Sequence, residues 1–223
     1  LDQKIGFHIN EWSPSIYPTK TTIKGKYCEV IPLDINNHAE QLFNAFKINK
    51  TGSNWTYLSS DPFNKFEDFH TWLKSYCSGK DPIYYSIIDA KNSEAIGMAS
   101  HLRIDPSIGV IEVGNIHFSP KLQKTRIATE SMYLMMKRVF EEWGYRRYEW
   151  KCDNYNEPSK KAAIRLGFKF EGIFRQATIY KNRNRDTSWF AIIDKEWPEL
   201  KIKFEKWLLP TNFDSNGIQI KKL

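Results

Sequence analysis

The sequence predicts an α/β domain whose sheet is mixed but mostly antiparallel. Three features carry that expectation. Runs at 83–89, 95–104 and 110–118 are rich in β-favouring residues and joined by short turns, which implies an antiparallel meander. A strand, an amphipathic helix and a second strand then follow between Gly109 and Cys152, and such a crossover makes the two strands parallel neighbours. Finally, Phe168 to Tyr180 and Thr187 to Ile193 read as a closing antiparallel pair across a turn at 182–186 that contains Arg183 and Arg185.

Each element has a local cause. Residues 1–26 carry Gly6, Pro14, Pro18 and Gly25 with little periodicity and read as an ordered arm, with Trp12, Ile16 and Tyr17 draped over a core edge. Tyr27 to Leu33 is the first strand, and Pro32 confines its end to a sheet edge. Asp34, with Asn36 or Asn37, caps a helix bearing Ala39, Leu42, Phe43 and Phe46. A turn-rich stretch with Trp55 and Tyr57 follows, then a helix with Phe66, Phe69, Trp72, Leu73 and Tyr76. Pro120 stops the strand at 110–118. Between residues 125 and 143, Met132, Leu134, Met135, Met136, Val139, Phe140 and Trp143 recur at three- and four-residue spacing, the stripe of a packed helix. Gly144 ends it, a strand from Tyr145 to Cys152 follows, and Asn156 to Leu166 is a short helix. Glu196 to Leu209 is a last helix. The division is an arm at 1–26, a domain at 27–209 and a tail at 210–223.

Composition sets the outer limits. At 223 residues with 41% hydrophobic and 15% aromatic content, the chain can bury a sizeable core. It has no run near the ~18 apolar residues of a membrane span and no signal-peptide pattern at Leu1-Asp2-Gln3-Lys4. Cys28, Cys77 and Cys152 are odd in number and lack metal spacing, which fits buried thiols in a reducing, cytoplasmic setting, and the histidines add no ligand pattern, so no metal is expected. The net charge of +7 is spread among 26 acidic residues, which argues against a dedicated nucleic-acid or membrane surface.

The most informative stretch is the helix start near Thr125 to Ala128. Free N–H groups and the positive end of the helix dipole attract anions there. Lys121, Lys124 and Arg126 crowd the same end, an unfavourable placement unless an anion arrives. A bound phosphate and a solvated basic turn both account for it.

Gln123-Lys124-Thr125-Arg126-Ile127-Ala128 resembles the acetyl-CoA signature Q/R-x-x-G-x-G/A of the GNAT N-acetyltransferases. Asn156-x-x-Ser159, Leu166-Gly167-Phe168 and Glu171-Gly172 are similar to the branch that acetylates the N-termini of ribosomal proteins, and the resemblance runs over roughly residues 20–200. One departure is plain: Arg126 stands where the signature has its first glycine.

The resemblance implies the GNAT acyl-CoA N-acyltransferase fold, with splayed parallel fourth and fifth strands and helices on both faces of the sheet. It implies acetyl transfer from acetyl-CoA to a primary amine, a protein N-terminus or a small molecule, through a ternary complex. The donor would be held by Gln123, Lys124, Thr125, Arg126, Ile127, Ala128 and Thr129, by backbone at Ile116, His117 and Phe118, and by Asn156. Ser159 would meet the leaving sulfur, since Ala163 occupies the place of the tyrosine used by many members. Glu112, on the fourth strand, is the leading base, directly or through water; its alternative is an ion pair with Arg103 or Lys151. Trp55, Tyr57, Glu112 and Arg183 would border the acceptor, although two loop aromatics also suit packing between helices. The branch carries an acid on its sixth strand where this chain has Thr178. The aromatic arm and last helix leave a homodimer open. A second reading is a catalytically weak acyl-CoA sensor or interaction module, and a third is a nucleic-acid binder.

Overall fold

A computed structural model describes residues 3–215 and 217–223. It contains β1 (Ile23–Lys24), β2 (Cys28–Pro32), α1 (Ile35–Lys47), α2 (Phe66–Tyr76), β3 (Ile83–Asp89), β4 (Ala95–Asp105) and β5 (Val110–Phe118). Next come α3 (Arg126–Lys137), β6 (Arg147–Asp153), α4 (Glu157–Arg165), β7 (Lys169–Tyr180), β8 (Arg183–Ile193) and α5 (Trp197–Trp207). The strands form one eight-stranded sheet in the order β1-β2-β3-β4-β5-β6-β8-β7. All neighbours are antiparallel except β5 and β6, the pair joined by the α3 crossover.

That parallel pair is short. It runs from Val110 opposite Arg147 to Val113 opposite Trp150, and there the register stops. On the other side of β5, Gly114 pairs with Ser100 and His117 with Met98, so Asn115 and Ile116 together face Ala99 in a bulge. Asn115 takes a φ of 49°, a left-handed conformation that asparagine tolerates better than most residues. Three hydrogen bonds hold the bulge: Tyr76 Oη to Asn115 Oδ1 (3.0 Å), Asn115 Nδ2 to Ser100 Oγ (2.9 Å) and Ser100 Oγ to the Gly114 carbonyl (3.1 Å). The bulge bends β5 away from β6 and opens the sheet.

Helices cover both faces. On one, the α3 residues Met132, Met135 and Met136 pack on Ile111, Val113, Tyr148 and Trp150, with Phe204 of α5 alongside. On the other, Leu42, Phe43 and Phe46 of α1 and Phe69 and Leu73 of α2 pack on Tyr84, Ile88 and Met98. The α1 start follows the expected chemistry, with Asp34 accepting from Asn36 N at 2.9 Å.

Four boundaries differ from the sequence reading. Ile23–Lys24, inside the expected arm, pairs with Val30 and Glu29 as an extra strand. The end of the long helix widens into a π-turn at Arg138–Glu142, where Arg138 reaches back to the carbonyls of Thr21 and Thr22 and so ties down the arm. Tyr145 donates its N–H to Val139 O at that turn, so β6 begins at Arg147. The last hairpin turns at Lys181–Asn182, both with positive φ, as a two-residue type I′ turn requires. Arg183 and Arg185 therefore lie in β8 and not in the turn.

A buried carboxylate anchors the helix that carries the expected phosphate site. Glu130 of α3 accepts three backbone N–H groups from the β1–β2 connection, at Lys26 (2.8 Å), Tyr27 (2.7 Å) and Cys28 (2.8 Å). Glu130→Ala strands those three donors. Hydrogen bonds to a charged acceptor contribute roughly 1.5–3 kcal/mol each, non-additively, so we expect a loss of at least about 3 kcal/mol in a urea unfolding titration.

Candidate active site

A cleft of about 1090 Å³ fills the opening between β5 and β6, slightly above the usual range of small-ligand pockets. Three parts of the chain build it. The first is the start of α3: Thr125 caps the helix, its Oγ1 accepting from Ala128 N (3.2 Å) and donating to Leu122 O (2.6 Å). Gln123 Nε2 donates to the Phe118 carbonyl at 2.8 Å, tying the loop to the end of β5. Lys124 before the cap has φ 60°. Gln123, Lys124, Thr125, Arg126, Ala128 and Thr129 all line the cleft. Ile127 does not: its side chain packs on the core.

The second part is α4. Asn156 is its N-cap, accepting from Ser159 N at 3.1 Å, and its amide nitrogen is left to face the cleft it lines. Trp150 Nε1 donates to Ser159 Oγ at 3.0 Å. That bond uses an acceptor site of the hydroxyl and leaves its proton for another partner. Cys152 lies beside it, its thiol pushed up by burial and pulled back in part by Ser159. Ala163, one turn further along, is fully buried.

The third part is the α1–α2 connection, which supplies Ser53, Asn54, Tyr57 and Ser59 to the wall, joined by Tyr76 and Asn115. Contacts cross above this end. Tyr57 Oη donates to the Tyr155 carbonyl (2.9 Å), and Lys181 Nζ reaches both Asp61 Oδ1 (2.9 Å) and the Trp55 carbonyl (2.9 Å).

Three further expected site residues stand elsewhere. Trp55 is 4% exposed and packs edge-on against Phe46, Phe63 and Trp72, so its ring fills the second core and does not meet an acceptor. Arg183 is exposed on β8 outside the cleft, whereas Arg185, two residues along on the same side of the strand, lines it. Glu112 is 3% exposed and outside the cleft lining. Its oxygens lie 2.7 Å from Arg103 Nη1 and 2.8 Å from Lys151 Nζ, the ion pairs that were its alternative reading. Burial raises its pKa and those two cations oppose the rise. A carboxylate held by two cations is a poor direct proton acceptor for an amine.

These pairs belong to a ladder. Arg103, Glu112, Lys151, Glu149, Arg147 and Glu171 alternate in sign across β4, β5, β6 and β7, each within 2.9 Å of the next. The cleft is different. It is lined by the cations Lys124, Arg126, Lys151, Lys161, Arg165 and Arg185, and Asp153 is the single carboxylate among the described lining residues. Asp153 accepts from Tyr155 N (2.8 Å) and from Tyr180 Oη (2.9 Å). Sequence reasoning missed it. The available signal was its place at the C-terminal end of a strand from the parallel pair, where α/β sheets hold their ligands.

His117 lines the cleft, and its ring stacks on Phe46 at 3.6 Å and sits 2.8 Å from Asn54 Nδ2. Among the described residues no group of histidine, cysteine and carboxylates is arranged to hold a metal ion, and no helix is long and apolar enough to cross a membrane.

Residues 31–169, more than half of the chain, match the acetyltransferase (GNAT) domain. The chain belongs to the GNAT acetyltransferase family. A GCN5-related N-acetyltransferase from Brucella melitensis is 41% identical and superposes with a TM-score of 0.94 over 96% of this chain and 97% of that one. Among curated relatives, the ribosomal-protein-serine acetyltransferase of Escherichia coli is 29% identical over 48% of this chain and 59% of its own length. The uncharacterized N-acetyltransferase YnaD of Bacillus subtilis is 28% identical over 39% of this chain and 50% of its own. The chain thus spans between half and three-fifths of the curated relatives it matches. The GNAT fold expected from the sequence is the fold observed, including the splayed parallel pair.

Two buried histidines make this GNAT domain acid-sensitive. Burial lowers His101 and His117 from 6.5 to about 3, so both stay neutral in the folded protein. The unfolded chain protonates them below about pH 6.5 and therefore binds more protons, so stability is full above that pH and falls as pH drops toward 3. The expected slope is about 1.4 kcal/mol per pH unit for each histidine. Urea titrations between pH 7 and 5 should show it, with a shallower slope in His101→Gln.

Proposed function

We propose that the chain transfers the acetyl group of acetyl-CoA to a primary amine by direct attack within a ternary complex. The observation that carries this reading is one continuous cleft joining an anion-binding helix start, an opening between parallel strands and an oriented Ser159 hydroxyl. The residues fit the donor: five cations outside the ladder, Lys124, Arg126, Lys161, Arg165 and Arg185, against one carboxylate suit a polyphosphate ligand, and the first-turn N–H groups of α3 suit a diphosphate. Acetyl-CoA supplies the activated acyl carbon. Transfer forms a carbon–nitrogen bond, breaks the carbon–sulfur bond and yields CoA thiol, so one proton must leave the amine and one must reach sulfur.

The chain's residues divide that work. Beyond Val113 the edge of β5 facing the gap has no ladder partner in β6, which leaves backbone N–H groups to polarise the thioester carbonyl. Asn156 orients the arm of the donor through its side-chain amide. Ser159, fixed by Trp150, presents its hydroxyl proton to the leaving sulfur; its own high pKa makes it a hydrogen-bond donor more than an acid. Asp153 draws the amine and accepts its proton through water. The neutral groups of Ser53, Asn54, Tyr57, Ser59 and Tyr76 surround the acceptor without adding charge. Glu112 stays beneath, holding Lys151 in place.

Thiol release from acetyl-CoA across a panel of amines tests this. Removal of a group that handles a proton costs on the order of 10²-fold, so Ser159→Ala and Asp153→Asn should each lower kcat by about that factor while CoA affinity holds within about twofold. Glu112→Gln should lower the unfolding midpoint and leave kcat within about threefold. Absence of turnover with every amine, alongside intact CoA binding, would instead favour an acyl-CoA sensor.

A further inference from the structure

Beyond residue 169, where the family match ends, the chain returns to the cleft. Trp207, Phe213 and residues 217–219 line its end beside the start of α3. The segment is well held. Asn212, buried, donates to the carbonyls of Trp207 (3.0 Å) and Lys221 (3.1 Å) and accepts from Lys221 N (2.8 Å). Trp207 Nε1 donates to Gln219 Oε1 (2.9 Å), and Phe213 and Gln219 form a β-bridge.

Two guanidinium groups meet this segment. Arg126, in the place of the signature glycine, lies between two rings, 4.2 Å from the centroid of Tyr27 and 4.5 Å from that of Phe213. Arg165 lies 4.9 Å over Trp207 and donates to Thr129 Oγ1 at 3.0 Å. Neither forms an ion pair with a carboxylate among the described residues. Packing over the face of a ring fixes a guanidinium in place and leaves its N–H edge for an anion. Ile218, 63% exposed, holds an apolar side chain at the rim of the same end. Flat rings, an apolar rim and two unpaired, oriented guanidinium groups, with Lys124 and Lys161 nearby, fit a ligand part that combines a planar base with a phosphate monoester.

We infer that Trp207, Phe213 and residues 217–219 complete the donor site as the subsite for the adenine and ribose 3′-phosphate of CoA, with Arg126 and Arg165 as the phosphate-binding pair. This rests on the reading of the cleft as a CoA site. The diphosphate takes the N–H groups of α3, so the third phosphate is the one still without a partner. The arginine at position 126 is then not a damaged signature. It moves charge from the diphosphate turn to the far end of the ligand and fastens the segment that forms that end.

Calorimetric titration of the full chain with CoA and with 3′-dephospho-CoA tests this without turnover. A charge-assisted contact corresponds to about tenfold or more in affinity, so the unaltered chain should prefer CoA by at least that factor. Ile218→Asp, at an exposed position that the fold does not need, should weaken CoA about tenfold and reduce the preference to under about threefold. Phe213→Ala should do the same, with its thermal midpoint measured in parallel. Equal binding of the two ligands by the unaltered chain, or unchanged preference in Ile218→Asp, overturns the inference and leaves the acetyltransferase reading standing. Tighter binding in both variants also overturns it, making the segment a cover over the site. Failure of the unaltered chain to bind CoA at all overturns the donor site itself.

Discussion

Everything at the site depends on the early end of one ladder. Parallel neighbours gain stability from each further pair, yet β5 and β6 separate after Val113 and Trp150. Backbone polar groups left without partners cost about 1–3 kcal/mol each when buried, so the separation needs a cause that outweighs it. The bulge at Asn115 provides one. It turns β5 while the antiparallel pairing with β4 resumes at His117, and Tyr76 and Ser100 hold its side chain. The opening is thereby built into the strand and does not depend on a ligand to force it.

The charge pattern follows from the same sheet. Glu112 and Glu149 are spent on Lys151, Arg103 and Arg147 beneath the cleft, where alternation of sign keeps each buried charge compensated. Had those carboxylates faced the opening, they would have repelled a polyphosphate. With them paired to cations of the ladder, the cleft keeps Lys124, Arg126, Lys161, Arg165 and Arg185 uncompensated by those two carboxylates. Side chains on one face of β5 and β6 therefore both stabilise the sheet, through the Glu112–Lys151–Glu149 pairs, and place Asp153 at the end of the same row.

Much of this was legible along the chain, because the signals were local. Periodicity marked α1, α2, α3 and α5, Asp34 announced the cap of α1, and strand–helix–strand order implied the parallel pair. The signature turn was readable for the same reason: a helix start and its basic residues lie next to one another in sequence. What failed depended on distant partners. Nothing near Trp55 says that Phe46, Phe63 and Trp72 will enclose it, and the ion pairs of Glu112 with Arg103 and Lys151 were readable only as an alternative to the base, because strand pairing decides between them. The shift from Arg183 to Arg185 came from a turn two residues long where a longer one was read. Asp153 and the segment after Trp207 were missed because their meaning arises only when the sheet brings them to the opening of the parallel pair.

Arg126 shows how a departure from a family pattern can be absorbed. A cation in the first turn of a helix opposes the dipole by roughly 0.3–1 kcal/mol. Each cation–π contact returns about 0.5–1 kcal/mol at a partly exposed site, and Arg126 has two such contacts, with Tyr27 and Phe213. The balance is near neutral or favourable before any ligand arrives. The steric objection also weakens, since the rings hold the side chain to one side of the turn and Thr125 keeps its cap on Ala128 N. Arg126 thus links the start of α3 to the last part of the chain, a link that glycine, having no side chain, could not make.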